Sequence, residues 1–398
     1  MSNRRTDDWI TSYLQYVENS EPPQLFKEWC AVSTIAAALQ RKCKMEWGTT
    51  TFYPNLYVVL TAPAGKARKG TAMSSARRFI NKIGIPLSAE AVTREALIRT
   101  LKESETVLPT ENGVLVHSSL TVFSPELTVF LGYNNLQLMS DLTDWFDCAE
   151  KWVYRTKNAG TDDISGVYIN LLGATTPDLI RSTLPIDAIG GGLTSRMIFV
   201  FEERKGKIVP FPFISEKMKK LEKDLYYDIE KIHMLGGVFK VTDNFLKYWG
   251  DWYTAQEDKN PFNTDLSIQH LGGYIERRPT QVLKLSMVMN ASRSGTMVLD
   301  RCDLERAIDL LTRTEVKMPL VFGGMGQGSS AALTYSVERS IAVARDGILL
   351  NSVIGRHRFE GTATEIGESV DTLVRAGLAR LENTKDGPRY YPTDKSKI

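Results

Sequence analysis

Cysteine is scarce in this chain of 398 residues, and its four cysteines lie far apart, with no C-x-x-C pair and no neighbouring histidine. That spacing argues against a disulfide framework and against a structural zinc site. No apolar run reaches the ~18 residues of a membrane-spanning helix. The beginning of the sequence also lacks the apolar segment and the small-residue cleavage site of a secretory signal. We therefore expect a cytoplasmic protein without a membrane partner.

Charge of one sign is also missing, since the formal net charge is only +2. Overall charge therefore does not indicate a nucleic-acid-binding protein, although a local basic stripe would be enough to contact phosphates. A hydrophobic content of 42% is typical of a globular protein with a sizeable core. The length is sufficient for two or three domains of roughly 150 residues each.

The pattern of apolar residues predicts an α/β protein with a helical second half. Residues 7–44 are expected to form two helices that are separated at Pro22-Pro23, because apolar residues recur there at three-to-four spacing. Four apolar runs are typical of buried strands with helices on both faces: 56–60, 119–123, 167–172 and 197–201. Further helices are predicted at 215–233, 242–257, 274–293 and 303–317. A Gly/Ser-rich linker at 323–333 precedes a tail, 334–392, whose predicted three helices and two strands outline a winged helix.

The segment Thr61-Ala-Pro-Ala-Gly-Lys-Ala-Arg-Lys-Gly-Thr71 lies between a predicted buried strand and a predicted helix. Small residues let backbone N–H groups surround a phosphate, and a helix N-terminus adds positive potential. We assign Lys69 to the β/γ-phosphates and Thr71 to Mg²⁺. Gly65, Arg68 and Gly70 complete the loop. The consensus Gly-x4-Gly-Lys-Ser/Thr is not met, and the alternative is a basic surface loop.

Three further positions follow in the order expected around a bound nucleotide. Glu126 comes just after a strand, where an acid can polarise the attacking water, although Pro125 replaces the usual aspartate before it. Thr175 or Thr176, at the end of the next strand, could orient water or sense the γ-phosphate. Arg196 precedes the last strand and could act on the ATP of a neighbouring subunit. The alternatives are a helix-start glutamate, a helix-capping threonine and a salt-bridging arginine.

This order resembles that of the AAA+ ATPases of the superfamily 3 and minichromosome-maintenance helicase group. The segments Leu25-Phe-Lys-Glu-Trp-Cys and Tyr53-Pro-Asn-Leu-Tyr are similar to those of a phage and prophage primase-helicase-like family, whose P-loops can end in Arg-Lys-Gly-Thr as residues 68–71 do. The resemblance covers residues 8–205 well and the rest loosely. It implies that Arg277 or Arg278, near the start of a lid helix, reaches the nucleotide as sensor 2. A solvated helix start is the alternative.

The same resemblance implies a DNA-contacting hairpin at 152–168, in which Trp152–Arg155 pairs with Gly166–Ile169. Its cations would contact DNA phosphates: Lys151, Arg155 and Lys157. A solvated surface turn is the alternative. In the predicted winged helix, Arg356, His357, Arg358 or Lys385 could also contact DNA, and a packing or protein-docking role is equally open.

Together these features predict an AAA+-like P-loop NTPase that depends on ATP and Mg²⁺ and forms a ring, expected to be a hexamer, on single-stranded DNA. Its expected parts are an N-terminal helical collar (1–50), an ATPase core (51–212), a helical lid (213–322), a linker (323–333) and a winged helix (334–398). Primase or other replication proteins are candidate partners. Two alternatives remain open: a nucleotide-binding initiator or scaffold that does not unwind DNA, and a regulatory ATPase that acts on a protein.

Overall fold

A computed structural model describes residues 4–90, 92–110, 113–156, 160–184, 191–256, 259–262, 266–322, 329–344, 346–385 and 387–393. The chain is a mixed α/β protein that divides into two compact units, Met1–Val321 and Phe322–Ile398. Unit 1 therefore contains the predicted segments 1–50 and 51–212, and all of the segment 213–322 except Phe322. Among the described residues, no helix has both the length and the apolar character of a membrane span.

Unit 1 is built on one five-stranded sheet. Smaller sheets accompany this main sheet. The described strands of unit 1 are, in chain order, β1 (Cys43–Trp47), β2 (Thr50–Phe52), β3 (Tyr57–Thr61), β4 (Glu105–Thr110), β5 (Gly113–Ser124), β6 (Lys151–Thr156), β7 (Gly160–Ser165), β8 (Val167–Thr175), β9 (Met197–Phe201), β10 (Gly237–Val238), β11 (Lys240–Val241) and β12 (Val298–Leu299). The main sheet has the order β4-β5-β8-β3-β9. Strands β5, β8, β3 and β9 are parallel, and only β4 runs antiparallel to its neighbour. All residues of β3, β8 and β9 are buried, as expected for parallel strands covered on both faces.

The helices of unit 1 cover this sheet. They are α1 (Trp9–Tyr16), α2 (Gln24–Leu39), α3 (Lys69–Lys82), α4 (Arg94–Glu103), α5 (Leu127–Leu131), α6 (Leu136–Phe146), α7 (Pro177–Thr183), α8 (Glu216–His233), α9 (Asp243–Gln256), α10 (Leu266–Arg293) and α11 (Arg301–Glu315). Helix α2 is buried around almost its whole circumference, because its alanines allow close contact with α3, α8, α10 and β8. The rings of Trp9, Tyr13 and Tyr16 surround Phe79 of α3. The first two helices are thus part of the core that supports α3.

The predicted hairpin forms, but its second arm is β7 and not Gly166–Ile169. Strand β6 pairs with β7 from Lys151 opposite Ser165 to Thr156 opposite Gly160. Gly166 has a left-handed φ of +57°, and a Cβ there would lie 2.7 Å from the carbonyl oxygen of Val116. The chain turns at this glycine and enters β8, so Val167 and the residues after it belong to the main sheet. A second hairpin, β1–β2, replaces the predicted end of the second helix.

Unit 2 has its own apolar core. Its elements are α12 (Ser329–Ala342), β13 (Ile348–Leu349), α13 (Leu350–His357), α14 (Ala363–Arg375), β14 (Ala379–Thr384) and β15 (Gly387–Pro392). The three strands are antiparallel in the order β13-β15-β14. Three helices are thus followed by a hairpin, as the sequence predicted. Of the predicted linker, residues 323–328 lie outside the described residues, and Ser329 already begins α12.

Candidate active site

The polar residues that the sequence placed at strand ends lie along one edge of the main sheet. Thr61, at the end of β3, is in register with Thr175 of β8 and with Phe201 of β9. Ser124, at the end of β5, is in register with Gly173 of β8. Because parallel strands present their carboxyl ends at one edge, the loop after β3, Glu126 and both threonines meet there. In open α/β sheets this edge is where ligands bind.

Lys69 is the first residue of α3, and its side chain folds back over the loop. Its Nζ donates a hydrogen bond to the carbonyl oxygen of Ala62 at 2.7 Å. Burial lowers the pKa of this ammonium, and the charge of Glu126 partly opposes that shift. Both residues lie at the carboxyl edge of the sheet, where the charge of Glu126 acts on Lys69 although β8 separates β3 from β5. The structure therefore brings together the predicted phosphate-binding cation and the predicted water-polarising acid.

The loop reverses direction through two left-handed residues. Gly65 has a φ of +68°, and Arg68, the N-cap residue of α3, has a φ of +55°. Arg68 holds this conformation without the freedom of glycine, while its Nε donates to Glu21 at 2.8 Å. The first turn of α3 has backbone N–H groups without intrahelical acceptors. Gly70 and Thr71 lie in this turn and are exposed, so an anion can approach these donors.

Two hydroxyls beside this loop are buried without a hydrogen-bond partner among the described residues. They are Thr175 Oγ1, at the end of β8, and Ser124 Oγ, at the end of β5. Buried polar atoms are rarely left unpaired, and such an exception calls for an explanation. The neighbouring Thr176 has another role, because its Oγ1 accepts the N–H of Leu179 and caps α7. Of the two predicted threonines, only Thr175 has a hydroxyl without a hydrogen-bond partner among the described residues.

The residues present fit a magnesium-bound nucleotide. Lys69 and the amides of the first turn of α3 can contact phosphate oxygens, and Thr71 can supply a metal-ligating hydroxyl. Among the described residues, no group of three or more His, Cys, Asp or Glu side chains could hold a metal ion. A magnesium ion here would accordingly depend on phosphate oxygens and water as well as protein, as is usual for Mg²⁺. Glu126 is exposed, and its side chain makes no capping hydrogen bond to α5.

Arg196 lies at the opposite edge of the sheet. It directly precedes β9, which is parallel to β3, so the length of β9, about 16 Å for five residues, separates it from the edge that carries Lys69. Its side chain is only 8% exposed and contacts Asp147 at 2.5 Å. It also donates to the carbonyl oxygen of Gly192 at 2.8 Å. Arg196 therefore cannot reach the loop of its own chain.

The two predicted sensor arginines, both on α10, have different surroundings. Arg278 is buried, and its guanidinium contacts Glu315, Gln256 and Thr312. Arg277 lies 3.9 Å from Asp147 and lines a cavity of about 190 Å³ together with Lys284. The charge of Arg196 contributes to lowering the pKa of Arg277, after burial. Arg277 is thus grouped with Arg196 at the edge away from Lys69, whereas Arg278 is committed to an internal ion pair.

The predicted DNA-contacting residues are spread over both units. In the hairpin, Lys151 is paired with Asp163 at 2.6 Å, and Arg155 is exposed; Lys157 lies outside the described residues. In unit 2, Arg356 and Arg358 are exposed at the end of α13, as is Lys385 in the turn between β14 and β15.

His357, by contrast, is buried, and its ring contacts Ser336 and Ser340. The exposed face of α14 is mainly acidic, with Glu365, Glu368 and Asp371. That face would repel DNA phosphates.

Three charged residues that lie beside the candidate site residues were not predicted from the sequence. Glu21 accepts from both Arg68 and Lys205, and these bonds lower its pKa to about 2. Asp147 contacts Arg196 and Arg277. Lys284 is buried, with its Nζ 2.7 Å from Asn55 Oδ1, and burial lowers its pKa to about 8. Only Lys284 carried a sequence signal, as a cation within an apolar helical stretch.

No protein-family model matches the chain, and comparison with curated proteins finds no match.

Proposed function

We propose that this chain is an ATP hydrolase with an AAA+-like P-loop core, whose copies assemble into a ring and move along single-stranded DNA. One observation carries the nucleotide part of this proposal. Lys69 opens the helix after a buried parallel strand and lies within electrostatic reach of Glu126, while the unpaired hydroxyl of Thr175 ends the strand between them. This is the arrangement of donors and acid that phosphoryl transfer to water requires.

Each residue has a defined role in the proposed reaction. Lys69 releases the carbonyl oxygen of Ala62 and contacts the β- and γ-phosphates, and Glu126 orients and polarises the attacking water. Thr175 donates its hydroxyl to the γ-phosphate or to that water. When bound through Thr71, Mg²⁺ neutralises charge on the phosphate oxygens. Because Arg196 and Arg277 lie at the other edge of the sheet, we assign them to the nucleotide of a neighbouring copy.

The rest of the chain is assigned by its position around this core. Helices α8 to α11 form the lid of the AAA+ arrangement, and unit 2 is a winged helix. The β6–β7 hairpin projects Lys151 and Arg155, and we assign it to the DNA backbone. Phosphate contacts of this kind are independent of sequence and sensitive to salt, which suits a translocating protein.

A nucleotide-binding scaffold or replication initiator is the second candidate. The observation favouring it is the neutralisation of the expected DNA-binding surface: Lys151 is paired with Asp163, and the exposed face of α14 is acidic. Pro125, in place of the usual metal-binding aspartate, favours it as well. Such a protein would bind ATP and assemble without DNA-stimulated turnover.

Phosphate release with and without single-stranded DNA tests the proposal. We expect Lys69→Ala to lower ATP turnover by at least about 100-fold, the effect of removing one preorganised charge-stabilising group. Lys66→Ala is the matched control, because Lys66 is an exposed lysine of the same loop. Turnover that DNA stimulates supports the motor, and DNA-independent turnover or binding alone supports the scaffold. Equal turnover in wild type and Lys69→Ala would remove the site.

A further inference from the structure

Unit 1 exposes an apolar segment that is separated by six residues from the end of its edge strand β9. Residues 208–214, here called the apolar segment, have the sequence Ile-Val-Pro-Phe-Pro-Phe-Ile. Ile208, Phe211 and Phe213 are 76%, 71% and 77% exposed, and the two phenylalanine rings stack at 5.9 Å. Large contiguous apolar patches are rare on the surfaces of monomeric proteins, and they mark interaction sites.

A second apolar patch lies at the other side of the same sheet edge. Val129 of α5, Tyr133 in the following turn and Leu136 of α6 are 62%, 80% and 59% exposed. We call these three residues the α5–α6 patch. Helix α5 follows β5, whereas the apolar segment follows β9, and β8 and β3 lie between these two strands. Three strand spacings, about 14 Å, therefore separate the two strands that lead to these surfaces, and β3, which leads to the Lys69 loop, lies between these strands.

The charges around the two surfaces are complementary. The α5–α6 patch lies in a stretch, residues 103–150, that contains no lysine or arginine. Asp141 of this stretch is paired with Arg94, whereas Glu126 and Asp144 are exposed. The flanks of the apolar segment, residues 202–207 and 215–224, contain seven cations and five acids, a net charge of +2; the cations are Arg204, Lys205, Lys207, Lys217, Lys219, Lys220 and Lys223. Charge complementarity of this kind selects a partner and fixes its register. The chain thus carries its own surface that complements the apolar segment in apolar character and in charge, and a second copy can supply it.

The apolar segment is also connected to the P-loop. Glu21 accepts a hydrogen bond at 2.6 Å from Lys205, which lies three residues before the segment. It accepts a second one, at 2.8 Å, from Arg68, the N-cap residue of α3. The backbone N–H of Val209 points to the same carboxylate at 3.5 Å. If a phosphate drew Arg68 away, Glu21 would lose one of its two cationic partners. The contacts that Glu21 makes with Lys205 and with the apolar segment would then change.

We propose that the apolar segment of one chain docks onto the α5–α6 patch of a second copy, in a head-to-tail interface next to the nucleotide. Because the two surfaces differ, each chain keeps one free surface after pairing, and the association continues until a ring closes. This inference rests on the proposed function, which requires a neighbouring copy at the site. It adds which surfaces meet, and it places Glu21 as the link between the P-loop and the interface.

Sedimentation velocity of the full chain with Mg²⁺ and a slowly hydrolysed ATP analogue tests the interface. We expect wild type to form oligomers larger than a dimer. Phe211→Ser/Phe213→Ser and Tyr133→Ser should each be monomeric, because each lacks one surface. An equimolar mixture of the two variants should form a dimer and stop there, since it contains one intact segment facing one intact patch. Phe359→Ser, which changes an exposed ring of unit 2, is the control and should assemble as wild type does.

Three outcomes would overturn the interface: a wild-type chain that stays monomeric, a single variant that assembles as wild type does, or a mixture without a dimer. Fluorescent-nucleotide binding to the same samples tests the proposed function separately. If the variants bind nucleotide as wild type does and only assembly changes, the interface is supported. If assembly follows the expected pattern and no nucleotide binds, the interface stands and the proposed function fails.

Discussion

Thr175 and Thr176 are adjacent in sequence but have opposite surroundings. The Thr175 hydroxyl is buried and unpaired among the described residues, whereas the Thr176 hydroxyl caps α7. Removing an unsatisfied buried hydroxyl does not destabilise a protein, while removing a helix cap costs about 1 kcal/mol. The two side chains thus allow a structural role to be separated from a role in the reaction.

We predict that Thr175→Val keeps or raises the free energy of unfolding by up to about 1 kcal/mol and lowers ATP turnover about 100-fold. Thr176→Val should do the reverse, with a loss of about 1 kcal/mol and nearly normal turnover. Urea unfolding and phosphate release measure the two effects. A destabilised Thr175→Val variant would mean that its hydroxyl has a structural partner, and normal turnover would remove it from the reaction.

His117 provides a pH-dependent prediction. Burial, together with the nearby charges of Lys42 and Arg41, lowers its pKa to about 4. Between pH 6.5 and 4 the unfolded chain therefore binds a proton that the folded chain does not, and stability falls as the pH is lowered. The loss attributable to this ring amounts to up to roughly 3 kcal/mol.

Urea unfolding at pH 7 and pH 5 should show about 2 kcal/mol of this loss in wild type, and His117→Asn should remove most of it. Asparagine is the suitable replacement, because it can keep a hydrogen bond to Ser119, which lies 2.9 Å from the ring Nδ1. A smaller pH dependence should remain from His233, whose pKa burial also lowers. The same slope in wild type and variant would show that His117 has the same pKa in the folded and the unfolded chain.

Gly166 determines where the β6–β7 hairpin ends and β8 begins. We predict that Gly166→Ala lowers the free energy of unfolding by about 2–4 kcal/mol, because its methyl group would meet a backbone oxygen in a left-handed conformation. Gly160→Ala is the matched control. It also has a positive φ, of +82°, but open space around a Cβ, so it should lose only about 1 kcal/mol. If urea unfolding shows the same loss of unfolding free energy for both variants, the contact between the added methyl group and Val116 does not contribute to the loss.

Two variants in the β6–β7 hairpin test whether the hairpin contacts DNA. Asp163 neutralises Lys151 at 2.6 Å, so Asp163→Asn should free that cation and increase the salt dependence of single-stranded DNA binding. One additional phosphate contact changes the slope of log K against log[salt] by about 0.7. Arg155→Ala should change the slope in the opposite direction. Fluorescence anisotropy at several salt concentrations measures both, and unchanged slopes would place the hairpin away from DNA.

Elements with strong periodicity could be predicted from the sequence, whereas elements fixed by distant contacts could not. The helices expected at 215–233 and 242–257 are confirmed as Glu216–His233 and Asp243–Gln256. Helix α10 begins at Leu266 and continues through Pro279, since packing outweighs the helix-breaking tendency of proline there. The hairpin register was wrong, because Gly166 turns the chain only through its contact with β5. The ion pair of Arg196 could not be predicted either, because its partner, Asp147, lies 49 residues away in the sequence and produces no local pattern.

One chain does not contain a complete proposed site. Lys69 and Glu126 lie at the carboxyl edge of the sheet, and Arg196 lies at the amino edge, where Asp147 holds it. Rotation of the arginine side chain cannot span β9, so any action of Arg196 on ATP requires a second copy. Two defective chains should therefore complement each other.

We predict that Lys69→Ala and Arg196→Ala are each nearly inactive and that an equimolar mixture regains ATP turnover. In the mixture, the intact Lys69 loop of one variant can face the intact Arg196 of the other. Random arrangement gives such a pair at about a quarter of the interfaces, which sets the expected recovery relative to wild type. Thermal unfolding of Arg196→Ala serves as a control, because losing the contact with Asp147 could weaken the fold. If both variants are folded and their oligomers exchange subunits, a mixture that stays inactive would exclude the action of Arg196 between copies, and full activity of Arg196→Ala alone would remove this residue from the reaction.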